Sequence, residues 1–356
     1  MKVLIIYNRI WHYRVPIFNL LAEKYDLTVT YSIDKDVDED EVNFKIKKLP
    51  GKDVLGQFFV HEESLHDLCE DFDVVIGYSD MRWLSLMKLL FKRKRSYKLI
   101  LWGIGVRASY TTSYGEKTKL DIIRFYLMRK ADALVFYSAN PIETYLEQGF
   151  NKEKLFVANN TVLVHEVNTS LERDSIVFIG TLYKQKRIYE LLDSYKEAKS
   201  KTQNVPRLEI IGGGDEYEAI ATWIIDNKFE NDIFLRGKIF DEKVLCDYFN
   251  SAIACVSPGQ SGLSVLKSMG YGVPYISKKN AITGGEIFNI ENDISGVLYN
   301  DDTELTDIII DIAQNKSKYL KMGENAKAHY DNYRKPEHMA GGLISALEYV
   351  TSSQFK

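Results

Sequence analysis

Short apolar runs rich in β-formers alternate with helical patterns from one end of this chain to the other. No other feature constrains the fold as strongly. The runs lie at residues 3–7, 27–31, 74–78, 99–102, 133–137 and 155–157, then at 176–179, 208–211, 233–235, 253–256 and 273–276. Residues 16–25, 117–130, 187–200 and 216–227 carry apolar positions at helical spacing between them. Near-continuous apolar strands separated by helices predict parallel sheets covered on both faces, an α/β class. A polar stretch at 159–170 shows neither period and reads as a linker between two Rossmann-like, doubly wound domains. Pro336 opens a last amphipathic helix through Tyr349. The 356 residues suit two domains at roughly 100–200 residues each.

A net charge of -4 argues against a nucleic-acid partner. Cys69, Cys246 and Cys255 are too scattered for a disulfide framework or a zinc site, and no carboxylate set reads as a metal site. Asp71 and Asp73 precede a strand and read as structural, and the acid-rich run 34–41 reads as a solvated loop. No apolar run approaches the ~20 residues that span a bilayer, and the first apolar segment is too short for a signal. The expected location is cytoplasmic, with any membrane contact peripheral at the inner face. Residues 82–98 hold Arg82, Lys88, Lys92, Arg93, Lys94, Arg95 and Lys98 with no acid, interleaved with Trp83, Leu84, Leu86, Leu89, Leu90 and Phe91. That pattern suits either an anionic membrane surface or a helix with a solvated basic end.

Ligands of doubly wound sheets bind beyond the carboxyl ends of the strands. Glycines and polar residues gather there, and two such mouths facing each other would form a cleft for two substrates. Gly180 follows a strand, and Lys186 and Arg187 then start a helix, where cations and exposed N–H groups together suit a phosphate. Ser257 to Ser264 follow another strand, and the N–H groups of Gly262 and Leu263 form a second anion site by the same physics. Ser261 reads as a helix cap, because G-x-S-x-G would need glycine at Leu263. Gly103-Ile104-Gly105 is followed by a polar loop, which weakens a dinucleotide reading. His12 and Arg14 follow the first strand, where a near-neutral imidazole and a guanidinium suit substrate handling or plain packing.

Together these motifs resemble the GT-B glycosyltransferases, most closely family 4 in its capsule and lipopolysaccharide branch. The G-x-L-x-x-x-K-R element is Gly180, Leu182, Lys186 and Arg187; the glycine-leucine helix start is Gly262-Leu263; the G-x-P strand entry is Gly272-Val273-Pro274. Glu286 matches the downstream acid, and Gly237-Lys238-Ile239 the segment near the nucleobase. The resemblance implies an N-terminal acceptor-side domain at 1–165 joined by the helix at 336–356, and a nucleotide-sugar domain at 166–335. It implies transfer of a sugar from a nucleotide-diphosphate sugar to a hydroxyl of a glycan or lipid-linked glycan, with retention, no metal and no cofactor, in cell-surface polysaccharide synthesis. Lys186, Arg187 and His12 become the catalytic candidates, and Gly180, Lys238, Ile239, Gly262, Leu263 and Glu286 the donor side. Arg14, Trp102 and Gly103 become the acceptor side. The family's two glutamates are Gly259 and Lys267 here, its arginine is Thr181 and its loop histidine is Ile104. Those departures keep two alternatives open: a GT-B sugar-nucleotide epimerase, or a catalytically degenerate subunit that binds a donor or a partner enzyme.

Overall fold

The apolar runs become parallel strands, and the central ones are buried on both faces. In the computed structural model, which describes the chain except residues 38, 93, 108–113, 166–171 and 353–356 and the side chain of Glu39, they form two separate sheets. The chain divides into two compact units, residues 1–107, 115–161 and 335–356 in the first, 108–114 and 162–334 in the second.

The first unit has seven parallel strands. In spatial order they are Leu155–Val157, Ala133–Phe136, Lys98–Gly103, Val74–Tyr78, Lys2–Ile6, Asp26–Tyr31 and Lys45–Lys48. Numbered along the chain, the order is 7-6-5-4-1-2-3. The direction of winding therefore reverses between Lys2–Ile6 and Val74–Tyr78. Val3, Ile5, Ile76 and Val135 are fully or almost fully buried, and each such side chain contributes roughly 1.5–3 kcal/mol. The final helix, Pro336–Thr351, belongs to this unit and shares that core through Met339, Leu343 and Leu347. Gly342 lets it approach closely: a Cβ there would stand 2.2 Å from the carbonyl oxygen of Val157.

The second unit has six parallel strands, in the order Ile233–Gly237, Arg207–Ile211, Ser175–Ile179, Ala252–Val256, Tyr275–Lys278 and Gly296–Tyr299. This is the Rossmann order 3-2-1-4-5-6, with its reversal between Ser175–Ile179 and Ala252–Val256. The strand expected from residue 273 begins at Tyr275, after Pro274, which has no N–H to offer the ladder.

Several readings change. Within 82–98, Trp83, Leu86, Leu89 and Leu90 are core residues, so that stretch has no apolar face of its own. Phe91 alone of the six apolar residues singled out there is more than half exposed, and Arg93 lies outside the described residues. The acid-rich run is partly ordered: Asp34–Asp36 pairs with Arg9–Trp11 as a short two-stranded ribbon. Of the expected linker, 159–165 has neither helix nor strand, and 166–170 lie outside the described residues.

Candidate functional site

In the second unit the reversal point is built by two turns, one after each central strand. Gly180 leaves the first strand at φ 150°, in the left-handed range that favours glycine. Its neighbour loop, Gly212 to Gly214, closes against it, and Gly180 N–H donates to Ile211 O at 3.0 Å. A Cβ at Gly212 would stand 1.9 Å from Gly180 O, so the glycine run serves loop packing. The chain then enters the single turn Lys184–Lys186 and the helix Ile188–Lys201.

Lys186 folds back over this turn. A Cβ placed on Gly180 would lie 3.0 Å from Lys186 Nζ. The residue is 7% exposed, and its ammonium has no ion pair or hydrogen-bond partner among the described residues. Burial lowers its pKa to about 8, only partly opposed by the neighbouring Cys255. An uncompensated ammonium beside a helix N-terminus favours an anion.

The second turn, Ser257 to Gly259, is tied to the first. Gly259 N–H donates to Lys186 O at 3.2 Å, and a Cβ at Gly259 would stand 2.1 Å from Gln185 O. No side chain fits at Gly259 without moving the backbone that carries Lys186. Helix Leu263–Gly270 follows with Gly262 at its N-cap and no side-chain cap, so its first N–H groups stay available. A Cβ on Gly262 would meet open space. Ser261 is not the cap; its buried hydroxyl donates to Ser277 Oγ at 2.7 Å.

The other donor-side residues divide. Lys238 is exposed beyond the strand end at Gly237 and lies across Gly213, where a Cβ would meet its chain at 2.8 Å; Ile239 packs partly into the core. The carboxylate of Glu286 turns into its own loop and accepts from Gly284 N–H at 3.0 Å.

Arg187 corrects the sequence reading. It does not pair with Lys186 as a second free cation. Its guanidinium lies 2.9 Å from Glu190 and 3.0 Å from Asp302, and its backbone adopts a left-handed φ of 55°. It lines a cavity of about 490 Å³ together with Glu190, Asp193, Glu197 and Asp302. Glu190 and Asp302 also pair with Lys278, and Glu197 with Lys201, so Arg187 is one cation of a carboxylate-bound network. Lys267 is likewise not free in solvent: its ammonium is held by Glu242 at 2.6 and 2.7 Å.

In the first unit the equivalent turn carries Arg14. It ends the turn His12–Arg14 and caps helix Val15–Ala22. The guanidinium is 3% exposed and lies 5.2, 5.3 and 5.2 Å from the rings of Tyr13, Trp102 and Tyr137. Nη1 donates to the sulfur of Met339 at 3.0 Å, Nε is buried without a partner, and no carboxylate pairs with it among the described residues. Burial opposes its charge, but the phenol oxygens of Tyr7, Tyr137 and Tyr13 outweigh that and raise its pKa. Burial pushes Tyr78 up to about 12 and raises Tyr137 as well, so these phenols stay neutral and leave the positive charge in place.

Trp102 and Gly103 are also corrected. The indole is 1% exposed and stacks on Tyr7 at 5.8 Å, forming the floor under Arg14 rather than a contact surface. Gly103 is buried, and a Cβ there would meet Ser79 Oγ at 2.1 Å. His12 is exposed, and its Nδ1 lies 2.8 Å from Asp36. Ile104 and Gly105 continue the loop, with Gly105 O accepting from Tyr145 at 2.9 Å; residues 108–113 beyond it lie outside the described residues.

Residues 163–329, which contain the whole second reversal point, match the family described as Glycosyl transferases group 1. That match covers a little under half of the chain. Among curated proteins, a poly(glycerol-phosphate) alpha-glucosyltransferase of Bacillus subtilis is 24% identical over 247 residues, 64% of this chain and 34% of the relative. A poly(ribitol-phosphate) alpha-N-acetylglucosaminyltransferase of Staphylococcus aureus is 25% identical over 186 residues, 50% of this chain and 36% of the relative. The chain thus spans about a third of the length of these two relatives. Among solved structures, Anabaena HepE in complex with UDP superposes with a TM-score of 0.72 at 13% identity, over 98% of this chain and 100% of the other. The fold is GT-B.

Proposed function

We propose that this chain is a glycosyltransferase that moves a sugar from a nucleotide-diphosphate sugar to a hydroxyl of a glycan or polyol-phosphate acceptor in cell-surface polysaccharide synthesis. The carrying observation is the buried, unpaired ammonium of Lys186 over Gly180, beside the uncapped helix start at Leu263. The relatives named for poly(glycerol-phosphate) and poly(ribitol-phosphate) support an acceptor of that chemistry, and the UDP-bound HepE makes uridine diphosphate the first nucleotide to test.

The chemical problem is the leaving group. As the bond from the anomeric carbon to the diphosphate oxygen breaks, negative charge grows on that oxygen. Lys186 and the N–H groups of Gly262 and Leu263 stabilise it without a metal. The new bond forms from the acceptor hydroxyl to the anomeric carbon on the same face, and the hydroxyl proton passes to the departing diphosphate. Retention follows, and no protein base is required. Arg187 holds the turn through Glu190 and Asp302 rather than touching the donor. His12, which is exposed, serves the acceptor side, and Arg14 ends the buried turn that carries it.

Incubation with a panel of radiolabelled UDP-sugars in EDTA, with and without poly(glycerol phosphate) or poly(ribitol phosphate), tests this reading. Acceptor-dependent release of UDP and labelled polymer is the expected result. Conversion of the sugar nucleotide without acceptor identifies an epimerase instead, and UDP binding without turnover identifies a degenerate subunit. Turnover restored only by magnesium or manganese contradicts the metal-free mechanism.

A further inference from the structure

The two turns of the second reversal point share one side-chain contact that the anion site does not use. Tyr183 stands just before the turn Lys184–Lys186, and Gln260 just after Gly259. The Tyr183 hydroxyl donates to Oε1 of the Gln260 amide, and both residues are half-buried. A free amide can present either end, but this donor fixes which one is left over. Oε1 is taken as an acceptor, so Nε2 with its two N–H groups is the available end. Nε2 has no partner among the described residues. The backbone that carries it is held firmly. Gln260 O accepts from Ser257 Oγ at 2.9 Å and from the Tyr275 hydroxyl at 3.2 Å, and Gln260–Ser261 pairs with Ile282–Thr283.

Donors around this amide are free, while the neighbouring carboxylates are not. The free donors are Nε2 itself, the Lys186 ammonium and the N–H groups at the Leu263 helix start. Glu286 accepts from Gly284 N–H at 3.0 Å, and Glu242 holds Lys267. Glu190 and Asp302 pair with Arg187 and Lys278. The hydroxyls of Ser261 and Ser264 are bonded to those of Ser277 and Tyr275 at 2.7 and 2.9 Å. A hydroxyl brought here must place its own proton, and it finds these carboxylates already engaged. An oxygen that only accepts, in a carbonyl or a carboxylate, meets the free donors at no such cost.

We propose that Gln260, oriented by Tyr183, selects the transferred sugar. It favours a sugar whose substituent carries an acceptor-only oxygen, the carbonyl of an N-acyl group or the carboxylate of a uronic acid, over an unsubstituted hexose. This selection rests on the reading of the Lys186 site as the donor site. The diphosphate engages Lys186 and the helix start, and the amide beside them is the neutral donor that meets the sugar. Gln260 is the residue that touches substrate. Tyr183 is a positioning residue that acts through it, by holding Oε1 so that the N–H groups face the ligand and do not exchange places with the carbonyl.

The test is calorimetric binding of UDP, UDP-glucose, UDP-N-acetylglucosamine and UDP-glucuronate to the full chain, which needs neither acceptor nor turnover. The wild type binds UDP, and it binds one of the two substituted sugars roughly tenfold more tightly than UDP-glucose. Which of the two it prefers tells the carbonyl from the carboxylate. Gln260→Met keeps the volume, removes the N–H groups and erases that preference, while UDP affinity changes by less than about twofold. Tyr183→Phe leaves the amide in place without its anchor and reduces the preference roughly threefold. UDP binding by the wild type without a preference for either substituted sugar overturns the proposal and leaves the donor reading standing. A preference that survives in Gln260→Met does the same, and so does an equal loss of UDP and UDP-sugar affinity in that variant, which marks a purely structural role. No UDP binding by the wild type overturns the donor reading and this proposal with it.

Discussion

Arg14 and Lys186 occupy the same topological place in the two units. Each ends a single tight turn between the first strand of its sheet and the helix that follows, at the point where the winding reverses. Each is a buried cation with no carboxylate partner among the described residues. Their surroundings differ. Arg14 rests among the rings of Tyr13, Trp102 and Tyr137, whereas Lys186 faces backbone and the buried thiol of Cys255. A guanidinium cannot shed its proton, so a permanent bed of π faces must carry its charge in the free protein. An ammonium can shed its proton, and burial, only partly opposed by Cys255, lowers its pKa to about 8. The first arrangement is complete without a ligand; in the proposed function an anion completes the second.

The largest effect that tests this contrast lies at Arg14. Arg14→Ala removes both charge and volume and should cost about 2–5 kcal/mol, as truncations in a packed core do. Arg14→Met keeps most of the volume and removes only the charge. If the rings merely tolerate the charge, that variant should denature at or above the urea midpoint of the wild type, because removing an unpaired buried charge is neutral to stabilising by about 1–4 kcal/mol. An Arg14→Met midpoint as low as that of Arg14→Ala shows that the ring contacts stabilise the unit, which widens the difference from Lys186.

A smaller effect is expected at Gly259. The contact of an added Cβ with Gln185 O must displace the Lys186 turn, at a cost of about 1–3 kcal/mol. Gly259→Ala should therefore lower both stability and UDP affinity by calorimetry. The same substitution with unchanged UDP affinity would separate the turn from the anion site. At Lys267 the expected effect is the smallest. Lys267→Glu sets a second carboxylate against Glu242 and should cost about 1 kcal/mol in urea denaturation. UDP affinity should not change, since the ammonium is committed to Glu242. A several-fold change in UDP affinity would return Lys267 to the donor site.

The central strands were legible in the sequence because both faces are buried, which makes the apolar runs nearly continuous. Lys45–Lys48 was not: an edge strand reading Lys-Ile-Lys-Lys follows the rule that edges are protected by charge. The turn chemistry around Gly180 and Gly262 was legible because glycine, cation and helix start are neighbours in the chain. The partners of Arg187 and Lys267 were not, because Asp302 stands 115 residues from the one and Glu242 25 residues from the other. The bed of Arg14 was hidden for the same reason. Its rings come from residues 13, 102 and 137, brought together only by the parallel order of the strands. Local pattern also could not tell that Trp102 is floor and not surface.

The central claim is that Lys186 is an ammonium waiting for a diphosphate, and its titration tests this most directly. Its folded pKa of about 8 lies below the ordinary 10.5, a difference worth roughly 3 kcal/mol against the free folded state. Below pH 8 both folded and unfolded chains hold the proton and the full cost stands. Between about 8 and 10.5 the unfolded chain alone keeps it, so the Lys186 contribution makes stability rise with pH in that window. A bound diphosphate reverses the balance by favouring the charged form. The measurement is UDP titration calorimetry from pH 7 to 9.5 in buffers of different ionisation enthalpy, on the wild type and Lys186→Met. The wild type should take up a proton on binding near pH 8–9 and lose affinity as pH rises through about 8. Lys186→Met should bind roughly 10–100-fold more weakly at pH 7, the 1.5–3 kcal/mol of a charged hydrogen bond, and show no such proton uptake. Equal affinity and equal proton uptake in the two proteins would contradict the account.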